Sequence, residues 1–471
     1  MENNMQPLGF REKLGYGLGD TASNFFFATF NVFLLYYYTD IFGLSAAAVG
    51  TMFLVTKILD AISDPIMGLI ADRTNSRWGK FRPYLLWAAI PYGLCGYAMF
   101  ANPDLSYTGK LIYAYITYSL MMLAYTAINV PYSALMGVIS PLSIERTKVA
   151  SYRFFCAFAA GWLVGTFVTP LKNILGNGDE AMGFQFTMLI FAVLSVALFW
   201  ITFATTKERV IPVPAKSDIK LDLKALFDNG PWKALFLTGI FTLVNIAVRN
   251  GTLLYYFKYY VGDDGTPIFL IFDKTAVFLS LGLMAMMVGV TLTKTLSQRF
   301  EKRQLMIVLS LINAVSMAVF YFIPPNQYWL MVAINCAGML AAGPTPALVW
   351  SMYADCADYG EWKSGRRTTA LVFSTVQFSH KMGLAVGAGL AGIILSWFGF
   401  VANEAQSAVS MVGIRFMFSV FPAVFAVLGI VAIYFYRIDS SMVSRITQEL
   451  LDRHNAADRS GKDPATAGPN L

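Results

Sequence analysis

The chain has 471 residues, 56% of them hydrophobic and only 13% charged, with a formal net charge of +7. The charged share is about half that of soluble domains, and the apolar surplus is more than a water-facing fold can bury. The composition therefore excludes a soluble globular protein and predicts a polytopic one surrounded by membrane lipid.

The polar N-terminal stretch MENNMQPLGFREKLG leads straight into a run long enough to span, so no cleavable signal peptide is expected. Runs of about 20 apolar residues predict twelve helices. The first, 16–41, carries Asp20 behind GYGLG and closes on YYYTDIFGL; the second, 46–71, contains KILDAISDP with Lys57, Asp60 and Asp64. A third lies at 84–101, and the fourth, 110–139, clusters Tyr125, Thr126 and Asn129 in AYTAINVPYSAL. Arg153 opens the fifth, 149–172, and the sixth spans 182–204. A charged, proline-bearing segment follows at 205–231, in which IKLDLKALF is expected as a short amphipathic helix on the membrane surface. Six further runs lie at 232–260, 268–293, 304–324, 329–356, 369–398 and 409–436, with Arg249 in the first of these and His380 and Lys381 in the fifth. The polar tail is expected to be partly disordered.

This order predicts an all-α membrane protein of two pseudosymmetric six-helix bundles: an N-terminal bundle at 1–204, a linker at 205–231, a C-terminal bundle at 232–437 and a tail at 438–471. If both termini are cytoplasmic, 26 of the 35 Lys and Arg residues fall inside, about 4 (Lys110, Lys172, Lys258 and Lys274) outside and 5 within spans. That bias explains the positive charge without a nucleic-acid partner. The four cysteines, Cys95, Cys156, Cys336 and Cys356, show neither metal-ligand spacing nor a disulfide framework, and no cofactor is expected.

Three ionisable groups in KILDAISDP need an explanation, because each costs on the order of 2.5–3.5 kcal/mol at mid-membrane. Asp60 and Asp64 lie four apart on one helix face, with Lys57 along the same side. Three readings compete. One is a structural ion-pair cluster. Another is a site where convergent carboxylates and nearby hydroxyls take Na⁺, or where one carboxylate takes a proton. The third is an intramembrane enzyme of the prenyltransferase kind, gripping Mg²⁺ with Asp60, Asp64 and the DCAD run at 355–358, although twelve spans in two halves do not match such enzymes. Between helices two and three, GLIADRTNSR, with Asp72, Arg73 and Arg77, resembles the cytoplasmic loop signature of the major facilitator superfamily; a plain basic loop explains it equally well.

Taken together, YYYTDIFGL, KILDAISDPIMGLIADRTNSRWGKFRP, NVPYSAL and DCADYGEW, in that order, resemble the glycoside-pentoside-hexuronide:cation symporter family, whose type member is melibiose permease. The resemblance runs to about residue 450 and implies the major facilitator fold and sugar uptake coupled to Na⁺ or H⁺ across a bacterial inner membrane. It puts Asp60, Asp64 and Thr126 at the cation, with Ser63 where the type member has Asn. It puts Asp20, Tyr125 and Arg153 at the sugar, with Asn129 where the type member has Asp, and makes Lys381 the link between the two sites. Arg249 is added as a charge that could face the sugar. Asp72, Arg73, Arg77, Asp355, Asp358 and Glu361 fall on gating positions. Other departures are Gly19 for a lysine and Ser133 for a tryptophan. Losing that carboxylate and indole argues against melibiose, so the expected substrate is a β-xyloside or other pentoside, with a hexuronide as the alternative.

Overall fold

The structure, a computed structural model, describes residues 7–140, 143–209, 224–365 and 369–460. In lipid the backbone must satisfy its own hydrogen bonds, and the apolar runs do so as helices. α1 covers Phe10–Thr29 and continues through wider π-turns at Phe30–Leu34 and Tyr37–Ile41. α2 is Ala46–Arg73, and α3 comprises Arg82–Trp87 and Ala89–Ala98. α4 is Tyr107–Val138, α5 Ser143–Gly176 and α6 Glu180–Thr205. α7 runs over Gly230–Tyr255 and on through Tyr256–Val261, followed by α8 at Lys274–Arg299 and α9 at Lys302–Val319. α10 comprises Tyr328–Ala342 and Thr345–Ser364, α11 is Thr369–Trp397, and α12 comprises Ala408–Phe418 and Val420–Tyr434.

The three broken helices break where proline chemistry requires. Proline has no N–H for the carbonyl four residues earlier. Pro91, Pro346 and Pro422 sit four residues after Trp87, Ala342 and Phe418, the last residues before each break. Pro65, Pro131 and Pro170 lie inside α2, α4 and α5, which continue past them.

Nine of the described helices are long and apolar enough to cross a membrane by length and composition. Within α2, Ala46–Lys57 is a shorter apolar helix by the same measure among the described residues. Among the described residues the one bridge of strand type links Phe269 and Phe272.

Two expected elements are only partly described. The tail, expected to be partly disordered, carries a helix, α13, at Ser440–Ser460, and 461–471 lies outside the described residues. Met442, Val443, Ile446 and Leu450 recur at helical spacing; Ile446 and Leu450 are buried and Trp362 donates to Glu449 at 2.6 Å. Of the expected linker helix, 224–227 is helical, while 210–223 lies outside the described residues.

The described residues form two compact units. The first draws on Met1–Pro214, Asn250–Ser280 and Ala388–Ile414; the second draws on Ala215–Arg249, Leu281–Gly387 and Arg415–Leu471. In the first, α1 packs on α5 and α6, and α2 packs on α4. Glycine permits the α1 contacts: a methyl group at Gly17 would stand 2.8 Å from the Cys156 sulfur, and one at Gly19 2.6 Å from the Tyr132 ring. In the second, Trp232, Leu235, Leu309, Met352, Tyr353 and Val372 belong to one buried apolar cluster.

Candidate functional site

At the α2–α4 contact Asp60 is 3% exposed and Thr126 2%, while Ser63 and Asp64 are half-buried. The Thr126 hydroxyl stands 3.1 Å from Asp60 Oδ1 and 3.0 Å from Asp64 Oδ1. Ser63 Oγ lies 3.4 Å from that hydroxyl and donates to the Asp60 carbonyl at 3.1 Å. A hydroxyl has one proton, so Thr126 donates to one carboxylate at a time and meets the other oxygen to oxygen. Two carboxylates at one oxygen favour a positive charge among them. Lys57 holds its ammonium 3.7 Å from Asp60 Oδ2, with the Met122 sulfur at 3.8 Å. Pro65 also withholds the helical donor that the Ala61 carbonyl would otherwise receive, beside Asp60. Carboxylate, hydroxyl and carbonyl oxygens are the ligands that hard cations take.

A second cluster joins α1, α4 and α5. Arg153 Nε donates to Asp20 Oδ1 at 3.1 Å, with Asp20 7% exposed. The Arg153 guanidinium lies 5.2 Å from the centre of the Tyr132 ring, which stacks on Tyr16 at 4.6 Å. Tyr16 and Tyr132 each donate a hydroxyl to the other's carbonyl, at 3.0 and 2.7 Å, which rigidifies the floor under the ion pair. Asn129 accepts from Ser23 at 2.8 Å and donates to the Tyr125 carbonyl at 3.2 Å. Tyr125 is half-buried beside Phe27 and Tyr92. Asp20, Tyr125, Asn129 and Arg153 thus belong to one unit with the Asp60 cluster, and Tyr125 and Thr126 are neighbours on α4.

The remaining candidates sit elsewhere. In the second unit Arg249 is 8% exposed, its guanidinium 4.9 Å from the Phe320 ring and 4.6 Å from the Phe418 ring, and it donates to Asn335 at 3.3 Å. Those rings make it a packed structural cation as much as a ligand-facing one. Lys381 is half-buried on α11, and the neighbouring His380 ring meets Trp350 edge-on. Asp355 pairs with Lys302 at 2.6 Å and accepts from Tyr436 at 3.3 Å; Asp358 is exposed and Glu361 half-buried. Arg73 is exposed, Arg77 stacks on Trp78 at 4.2 Å, and the side chain of Asp72 lies outside the described residues.

The sequence reading did not single out two networks in the first unit. At the end of the bundle where α1 meets the loop after α2, Glu12 grips Arg209 through two hydrogen bonds of 2.6 and 2.9 Å, and Glu208 accepts the backbone N–H groups of Lys80, Phe81 and Arg82. Glu145 takes Lys13 at 2.8 Å and Lys148 at 2.7 Å, which hold its carboxyl down to about 2. At the opposite end, Asp40 accepts from Lys258 at 2.8 Å, from Thr39 at 2.8 Å and from Tyr259. Lys258 also donates to Asn403 at 2.7 Å, and Asn403 returns to the Asp40 carbonyl. The one available signal was an acid, Asp40, closing an apolar run.

The MFS/sugar transport protein family profile matches residues 15–440. The chain belongs to that family. This sugar-transport family member is 37% identical to the putative glycoside/cation symporter YagG of Escherichia coli (strain K12) over 98% of its length and 99% of the relative's. It is 34% identical to the isoprimeverose transporter of Lactiplantibacillus pentosus, over 97% and 95%. Among solved structures, a D-xylose-proton symporter shares the fold with a TM-score of 0.60 at 16% identity, covering 91% of this chain and 97% of that one. The family member is therefore a multi-pass membrane transporter of the glycoside symporter kind, not an enzyme, and its helices are those of the major facilitator fold.

Proposed function

We propose that this transporter carries a pentoside, a β-xyloside disaccharide in the first instance, into a bacterial cell together with Na⁺ or H⁺. In this reading the cation binds among Asp60, Asp64, Thr126 and Ser63, and the sugar binds at Asp20, Tyr125, Asn129 and Arg153. The carboxylate and guanidinium engage paired hydroxyls, and Tyr125 offers a ring face. The observation that carries it is the adjacency on α4: Thr126 bridges the two carboxylates while Tyr125 and Asn129 belong to the sugar cluster. A cation drawn between the carboxylates turns Thr126, and with it the α4 face that meets the sugar. Lys381 links the sites, and Asp355, Asp358, Glu361, Asp72, Arg73 and Arg77 serve the gate on the cytoplasmic side, where both termini lie. The halves on either side of the 205–231 linker rock about the site. The Asp40–Lys258–Asn403 network then closes the outer side.

A relative's name as an isoprimeverose transporter supports a xyloside. The test is a thermal-shift screen of the full chain in detergent against xylosides and uronides, with and without Na⁺. A xyloside that stabilises the protein, and does so more strongly with Na⁺ or at lower pH, is expected. Stabilisation by uronides alone would move the assignment to a hexuronide carrier, and no response to any sugar would contradict it.

A further inference from the structure

At the end of the first unit that holds Asp40, a cavity of about 220 Å³ opens between α1, α5, α6, α7, the loop after α7 and the start of α8. Lys172, Glu180, Lys258, Asp263, Asp264 and Asp273 bring charge to its wall. Both cations are already engaged there, Lys172 with Glu180 and Lys258 with Asp40, while Lys274, next in the chain, donates to the Gly262 carbonyl. The wall thus carries two positive and four negative groups. Asp263 is fully used, one oxygen taking the Thr275 N–H at 2.8 Å and hydroxyl at 2.5 Å, the other the Gly265 N–H at 3.3 Å.

Asp273 differs. It is 1% exposed, and its Oδ1 caps α8 by accepting from the Ala276 N–H at 2.8 Å. Its Oδ2 is buried without a hydrogen-bond partner, and so is the hydroxyl of Thr169, 6% exposed, on the same cavity wall. A carboxylate oxygen left so, beside a second carboxylate, needs a donor of its own. The cavity has room for several waters to deliver one.

We propose that Asp273 is a proton-binding site of the outer closure: the closed arrangement holds its neutral form, and release of that proton outward favours opening. The inference rests on the orientation proposed above. Burial, with the charge of Asp263 added, pushes this carboxyl from 3.8 up to about 6. The closed form therefore binds more protons than a form with Asp273 in water. Its advantage is complete below about pH 4 and is lost as pH rises through about 6.

Asp273→Asn keeps an oxygen for the Ala276 N–H and mimics the neutral acid. The experiment uses the full chain in nanodiscs without sugar or Na⁺, in parallel with the same chain carrying Asp60→Asn and Asp64→Asn, so that proton binding at those carboxylates is separated from the outcome. Infrared titration should show a carboxylic-acid band with a midpoint near pH 6 that Asp273→Asn removes. Spin labels at Met182→Cys and Ile268→Cys should move apart between pH 5 and 8, and Asp273→Asn should hold the low-pH separation throughout. An infrared titration unchanged by the substitution would overturn the proton site. A pH-dependent separation that Asp273→Asn leaves intact, or no pH dependence in the parent, would overturn its role in closure.

Discussion

Asp40 and Asp60 are both buried acids of the same unit, and Asp60, paired with the half-buried Asp64, is furnished differently. Asp40 receives an ammonium, a phenol and a threonine hydroxyl, each with its own proton to give. Asp60 and Asp64 instead converge on the single Thr126 hydroxyl, at 3.1 and 3.0 Å, with the Lys57 ammonium 3.7 Å from Asp60. A carboxylate supplied with donors by its own protein is a lock, released only by pulling the elements apart. Two carboxylates on one hydroxyl form a socket, whose geometry responds to whatever positive charge enters. An alternating-access carrier requires both: a lock that distinguishes its states and a socket through which a cation chooses between them.

The comparison can be broken most forcefully at the socket. Asp60→Asn should abolish gradient-driven accumulation, a loss on the order of 10- to 100-fold, while sugar exchange or binding persists. Sugar counterflow in vesicles measures both, and unchanged accumulation would remove Asp60 from the cation site. At the lock, Lys258→Met leaves Asp40 buried without its ammonium, at a cost on the order of 3 kcal/mol to the closed outer end. Adding Asp40→Asn should recover most of that loss. Thermal melts of the single and double variants give the coupling energy, and additive losses would show that the pair does not act as a lock. Thr126→Val sharpens the contrast. Removing the shared hydroxyl should raise the half-saturating cation concentration about tenfold, the scale of one lost charge-assisted bond, and Thr126→Ser should restore it. The smallest effect concerns a third acid, Glu145, held down by Lys13 and Lys148. Because its folded value is depressed, its contribution is present above pH 4.5 and fades as pH falls toward 2. Acid titration of the melting temperature should be flatter over that window in Glu145→Gln.

The span count was legible because lipid demands long apolar helices, and helices announce themselves by hydrophobicity alone. The breaks were not legible: Pro91, Pro346 and Pro422 stand four residues past them, yet Pro65, Pro131 and Pro170 lie in helices that continue. Charges that meet far along the chain were not. Asp40 and Lys258 are 218 residues apart, and Asp40 and Asn403 363, so no local pattern joins them. Asp60 and Asp64 were readable as a convergent pair from their spacing, yet the Thr126 hydroxyl, 66 residues from Asp60, was assigned to them only through family resemblance. The rings of Phe320 and Phe418, 71 and 169 residues beyond Arg249, were equally beyond any local pattern. Lys57, with no assigned role at the outset, is the ammonium beside Asp60.

The most direct measurement is sugar accumulation by the purified full chain in sealed vesicles, with an imposed inward Na⁺ gradient, an imposed inward H⁺ gradient, or neither. One of the two gradients should drive labelled xyloside above its external concentration, and Asp60→Asn should reduce this to slow equilibration. Equilibration at the same rate with and without either gradient would contradict the account.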